Sequence, residues 1–195
     1  MSLVDGIDAA RERWNVLRHP FYTRWEHGEL TREELAFYAG EYRHAVVALA
    51  ETAAVAGDAE HAREEAEHVG LWDGFAEALD APLDRDPTTE TSACADAWAR
   101  SDRLEALAVL YAVESSQPAI SETKLRGLVD HYGFRPGADG TEYLTLHAEL
   151  DKEHAQAART ALDDVRPQDE PRLAAAAENA LRANWLLLDG VTRAA

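Results

Sequence analysis

The feature that most constrains this chain is a helical hydrophobic period running through nearly its whole length, broken by caps and turns and never by an alternating strand pattern. It is clearest after Thr31-Arg32-Glu33-Glu34, a capping box preceded by Leu30 as a hydrophobic staple. Leu35, Tyr38, Tyr42, Val46 and Leu49 then follow at helical spacing, and Gly57 ends the segment. A first helix is predicted over about 5–18, running into His19-Pro20-Phe21-Tyr22, and a third from Asp58 to about Leu79, stopped before Pro82. Residues 81–91 carry two prolines with Asp and Thr and read as a loop, and a fourth helix is expected over roughly 94–99. Asp102 caps a fifth, reaching about His131 with Pro118 expected to kink it. Residues 133–140 are turn-rich; a sixth helix is expected over about 141–165 and a seventh from about Pro171 onward. The prediction is an all-α bundle of about seven helices forming one domain over residues 1–195.

Composition agrees. The chain is 46% hydrophobic with 11 Gly and 7 Pro, a balance that favours helix over sheet. A formal net charge of −18 repels phosphate backbones, which argues against nucleic acid and anionic membranes as partners. Cys94 is the one cysteine, so an internal disulfide and a multi-thiolate metal site are both excluded. No apolar run is long enough to cross a bilayer, and Met1-Ser2-Leu3-Val4-Asp5 has no basic region followed by an apolar stretch. The expected location is the cytoplasm.

A minority of the acidic residues sit where carboxylates do chemistry. His147, Asp151 and His154 form an H-x3-D-x2-H spacing, and on a helix positions i, i+4 and i+7 share one narrow stripe. His61, Glu65 and His68 repeat it as H-x3-E-x2-H. Glu114 stands alone in the apolar run Leu107-Ala108-Val109-Leu110-Tyr111-Ala112-Val113, where a carboxylate is costly unless a cation or hydrogen bonds compensate it. Each spacing alone arises by chance in an acidic helical protein, as a solvated or capping face; the combination is rarer. Glu65 and His68, Glu114, and His147, Asp151 and His154 together suffice for two metal ions, and mixed oxygen and nitrogen donors without thiolate suit iron or manganese.

At these residues the sequence resembles the heme-oxygenase-like diiron oxidases, and among them the family of the chlamydial protein associating with death domains (CADD). The likeness runs from His19 to about Arg159. It is carried by HPFYTRWEHGELTREELAFYAGEYRHAV (19–46), EHVGLWDGFAEAL (67–79), LYAVESSQPAISETKLRGLVDHYGF (110–134) and HAELDKEH (147–154). The resemblance implies a TenA- and PqqC-like bundle, with His68, Glu114, His147, Asp151 and His154 as iron ligands. CADD-like members place a further Glu two turns before the first His, where this chain has His61; other members of the superfamily place it three residues before, which is Glu65 here. Glu65 is taken as the ligand and His61 as a further candidate or a neighbour of the ligands.

CADD-like proteins are linked to folate metabolism and to making 4-aminobenzoate from one of their own tyrosines, with dioxygen at the diiron site and a lysine giving the amino group. The matching residues are Tyr22 as the consumed side chain and Lys124 as the amine donor, with Tyr38 and Tyr143 nearby. The family tyrosine just before the ligand Glu is Val113 here. The resemblance further implies two Fe or a manganese–iron pair, dioxygen as co-substrate, an external reductant and a homodimer. Plainer readings stand beside these: Tyr22 and Tyr38 as core aromatics, Lys124 as a solvated helix-face lysine, and Trp25 and Trp72 as core. The competing functions are oxidation of a free small molecule, by amino acid N-oxygenation or oxidative C–C cleavage, and a metal-free thiaminase-like or ligand-binding member of the fold. Cys94 lacks the acid–tyrosine context of a thiaminase nucleophile and is read as structural.

Overall fold

The computed structural model describes residues 2–138 and 140–194, with the side chains of 149–152 outside the description. Among the described residues there are nine α-helices and one short 3-10 turn, and no strand. They are α1 (Leu3–Arg13), the 3-10 turn (Val16–Arg18), α2 (Pro20–Glu26), α3 (Arg32–Ala56), α4 (Ala59–Ala78), α5 (Thr89–Trp98), α6 (Arg103–Glu114), α7 (Gln117–His131), α8 (Glu142–Leu162) and α9 (Glu170–Ala194). None of them is long and apolar enough to cross a membrane.

The long helix α3 begins at the expected capping box, with Glu34 N–H donating to Thr31 Oγ1 at 3.1 Å and Thr31 N–H to Glu34 Oε2 at 2.8 Å. It ends at Gly57, whose φ of 93° only glycine adopts without strain. α3 packs against α4, α5 and α6, while α8 lies against α6 and α7, and α9 against α1, α5 and α6. α6 is buried on every face from Ala106 to Glu114, so its sequence is apolar all round rather than amphipathic.

The count exceeds seven for two local reasons. His19-Pro20 starts a separate two-turn helix: His19 Nδ1 accepts the Phe21 N–H at 3.0 Å, and Pro20 fills the first turn, where no N–H is required. The fifth predicted helix is not kinked at Pro118 but interrupted at Ser115–Ser116. Ser115 N–H returns to the Tyr111 carbonyl, Ser116 N–H to that of Val113, and Pro118 lies in the first turn of a new helix. The fourth helix also starts earlier than expected, at Thr89. Thr88 caps it, and the buried Glu41 carboxylate accepts both the N–H and the hydroxyl of Thr88 at 2.9 Å.

Indole N–H groups tie the core together. Trp25 donates to the Lys124 carbonyl at 3.1 Å, Trp72 to that of Ala39 at 2.8 Å and Trp98 to that of Ala180 at 3.1 Å. Each buries a large ring, worth about 1.5–3 kcal/mol in apolar area alone, without stranding its donor. Gly127 lets α2 and α7 meet, since a Cβ there would lie 2.6 Å from Trp25 Cδ1.

Candidate metal centre and the aromatic pocket beside it

Three helices turn their acid and imidazole groups toward one another. Asp58 caps α4 by accepting the N–H groups of Glu60 and His61, and one turn-by-turn stripe of that helix buries His61, Glu65 and His68. α6 ends at Glu114, which is 1% exposed. α8 presents His147 and His154. Asp151 lies between them on α8, and its side chain falls outside the described residues.

Two groups of potential donors result, each with its atoms within 4.8 Å of one another: His61, Glu65 and His154, and Glu65, His68 and His147. Glu65 belongs to both. Its Oε1 lies 2.9 Å from His68 Nδ1 and 3.8 Å from His61 Nε2. Glu114 Oε1 approaches His61 Nε2 to 3.0 Å, but not in line for a hydrogen bond, and neither Glu114 oxygen has a hydrogen-bond partner among the described residues. The rings of His61 and His154 sit 4.1 Å apart, and those of His68 and His147 4.4 Å apart.

Neighbouring groups aim the imidazoles. His147 Nδ1 lies 2.8 Å from the Tyr143 carbonyl, which only a protonated nitrogen can meet, so Nε2 carries the ring's lone pair. Tyr143 also stacks on this ring at 3.9 Å. His154 Nε2 lies 3.0 Å from Glu64 Oε2 while its Nδ1 is buried. Glu64 is a residue that the sequence reading passed over, because an acid facing out from an acidic helix carries no signal of its own.

The electrostatics describe a centre short of positive charge. Burial, and then the proximity of Glu65, push the Glu114 carboxyl well above the usual range. Burial is the largest influence on Glu65 and acts to raise it, but the hydrogen bond with His68 and the nearby charges of His68, His147 and His61 together outweigh it and hold the carboxyl low. Burial pushes His147 down to about 4, with His68 adding to the effect, and burial and then His61 lower His154. Imidazoles gathered around a buried Glu114 whose two oxygens find no hydrogen-bond partner among the described residues are what cations would resolve, and the oxygen and nitrogen donors suit iron or manganese. The residues present fit the metal.

Beside this group lies an aromatic pocket. Lys124 is 1% exposed, not solvated, and no hydrogen bond reaches its Nζ among the described residues. The nitrogen sits 4.6 Å from the ring centre of Tyr42, 5.2 Å from Trp72, 5.3 Å from Tyr38 and 5.4 Å from Tyr22. Burial lowers its pKa to about 7. Tyr22 Oη and Tyr38 Oη are hydrogen-bonded at 2.7 Å, and burial raises both phenols well above their ordinary range. Gln117 Nε2 donates to Tyr42 Oη at 3.3 Å. Trp72 reaches Tyr143 at 4.8 Å, and so connects the pocket to the His147 ring. Trp25 and Trp72 are core, as expected, and both also wall this pocket. Cys94 lies apart on α5, fully buried, and its thiol is pushed up by that burial, which is the environment of an inert cysteine.

Residues 27–186 match a family described as iron-containing redox enzymes. The chain is 30% identical over 212 residues to the 4-aminobenzoate synthase of Chlamydia muridarum, covering 97% of this chain and 89% of that protein. It is 30% identical over 223 residues to the 4-aminobenzoate synthase of Nitrosomonas europaea, covering 95% and 89% respectively. In structure it resembles a domain with a heme oxygenase-like fold from Shewanella denitrificans, with a TM-score of 0.80 at 19% identity over 99% of this chain and 93% of that one. With the fold and the extent of the sequence match in agreement, the chain belongs to the heme-oxygenase-like family of iron-containing redox enzymes.

Proposed function

We propose that this chain is a dioxygen-dependent 4-aminobenzoate synthase of the CADD type, using Tyr22 as the source of the ring and Lys124 as the source of the amino group. The observation that carries the reading is the Lys124 amine enclosed against the faces of Tyr22 and Tyr38, beside two adjoining groups of carboxylate and imidazole donors. Glu65, His68, Glu114, His147, Asp151 and His154 would hold two iron ions, or an iron and a manganese. Bound there, the metals supply the activation of dioxygen, with electrons from an external reductant.

The chain's own residues prepare the rest. Burial keeps the Lys124 amine neutral in a large share of molecules at neutral pH, and only the neutral amine has a lone pair to give. The hydrogen bond between Tyr22 and Tyr38 fixes one phenol against the other. Trp72, Tyr42 and Trp25 exclude water from the pocket. A net charge of −18 and the single cysteine support work in a reducing cytoplasm on a small molecule or the chain itself, away from nucleic acid and membranes.

The test is intact-mass analysis of iron-loaded protein before and after exposure to air with reductant. Self-modification alters the mass at Tyr22 and Lys124 and releases 4-aminobenzoate. An unchanged mass with no product would exclude this chemistry. A second reading, oxidation of a free small molecule, is favoured by a cavity of about 260 Å³ that reaches His61 and His154. It predicts repeated turnover with an unmodified chain.

A further inference from the structure

The sequence leaves His61 and Glu65 competing for one ligand position, and the geometry gives each a place of its own. Glu65 sits between the two donor groups and belongs to both. His61 belongs to one, at 3.0 Å from Glu114 and ring to ring with His154 at 4.1 Å. The two groups also differ in their surroundings. His68 and His147 are sealed at 3% and 2% exposure, with Tyr143 stacked on the latter. His61 and His154 instead line the cavity of about 260 Å³, whose other walls include Ala56, Leu107, Leu110 and Ala157. A histidine on a cavity wall beside a buried carboxylate with unsatisfied oxygens is poor core material and a good donor.

We propose that His61 is a metal ligand in its own right. With His154, Glu114 and the shared Glu65 it completes a cation position that opens on the cavity, and Glu65, His68 and His147 form a second, enclosed position. The inference rests on the two-cation reading above and goes beyond it: the centre carries four imidazoles, and its two cations are inequivalent. The cavity-facing cation exchanges with solvent faster, because its route out does not cross the packed core. Asp58 takes part by seating His61, since its carboxylate caps the helix at the His61 N–H.

Metal-free protein titrated with Mn(II) alone, with the bound ion counted by loss of the free-ion paramagnetic resonance signal, tests this. Wild type takes up two equivalents, and a chelator removes them in two phases of one equivalent each. His61→Ala takes up one equivalent near wild-type affinity, its second weakened by more than about tenfold, and loses the fast release phase. Glu65→Gln weakens both. His61→Asn, which keeps a polar side chain of similar size, repeats the measurement, and circular dichroism confirms that each variant is folded. Two equivalents of unchanged affinity in both His61 variants would overturn the assignment of His61. Release of both equivalents from wild type in a single phase would overturn the inequivalence. Uptake of fewer than two equivalents by wild type would overturn the two-cation reading itself.

Discussion

Tyr22 Oη and Tyr38 Oη lie 2.7 Å apart, the two phenols joined by one buried hydrogen bond beneath the amine of Lys124. The pair makes the residues separable by mutation. Tyr22→Phe removes the proposed ring source, so 4-aminobenzoate falls to background while iron binding persists. Tyr38→Phe keeps the source but strands the Tyr22 hydroxyl, which costs about 1–3 kcal/mol of stability and lowers the yield without abolishing it. Product quantification beside thermal melts checks both, and equal yields from Tyr22→Phe and wild type would sink the assignment of Tyr22.

Lys124 stores a stability cost with a definite pH signature. Its folded-state pKa of about 7 lies below the ordinary 10.5. Below pH 7 both states carry the charge and the cost is full, roughly 5 kcal/mol at about 1.4 kcal/mol per unit. Between 7 and 10.5 the unfolded chain binds more protons, so stability rises with pH, and above 10.5 the cost is gone. Lys124→Met is expected to stabilise the metal-free protein by several kcal/mol at pH 7 and to flatten this rise. Denaturant titrations at pH 6, 7, 8 and 10 measure it, and a less stable Met variant at pH 7 would contradict the account.

The proposed donor role of Lys124 carries a pH dependence of its own. If the neutral amine is the donor, the yield of a single aerobic exposure climbs with pH through a midpoint near 7, where burial places the amine. A yield that falls across that range would remove Lys124 from the donor role.

Cation loading should be visible in the melting temperature. Each cation held at a hundredfold excess over its dissociation constant adds about 2.7 kcal/mol, or roughly 5–10 °C for a chain of this size. Chelation reverses the gain in wild type. In Glu114→Gln, which removes the carboxyl beside His61, the gain shrinks. Calorimetry with and without Fe(II) under nitrogen is the measurement, and identical curves would argue that no cation binds.

Much of this was readable from sequence because helical spacing is a local rule. The stripes His61-Glu65-His68 and His147-Asp151-His154 declare a shared side without reference to the rest of the fold. Glu114 stood out because charge in an apolar run is costly wherever it packs. The Ser115–Ser116 break did not stand out, since two serines are neutral toward helix and Pro118 serves a first turn as readily as a kink. The pocket was legible only in part. Tyr22, Tyr42, Trp72 and Lys124 come from four helices, and nothing in their spacing reveals that their rings close around one nitrogen. The pairing of Glu64 with His154 is hidden for the same reason: contacts between α4 and α8 leave no periodic trace.

Helix α2 is only seven residues long, seated on α7 where Gly127 admits the edge of Trp25. Tyr22 rides on this short segment and is 1% exposed. Anything made from its ring is therefore born in a sealed chamber, and no product departs unless the wall swings aside. That wall is held by the His19 cap, by the Trp25 N–H on the Lys124 carbonyl, by the Arg24–Glu34 ion pair and by the close contact at Gly127, so release requires a local opening of this short helix.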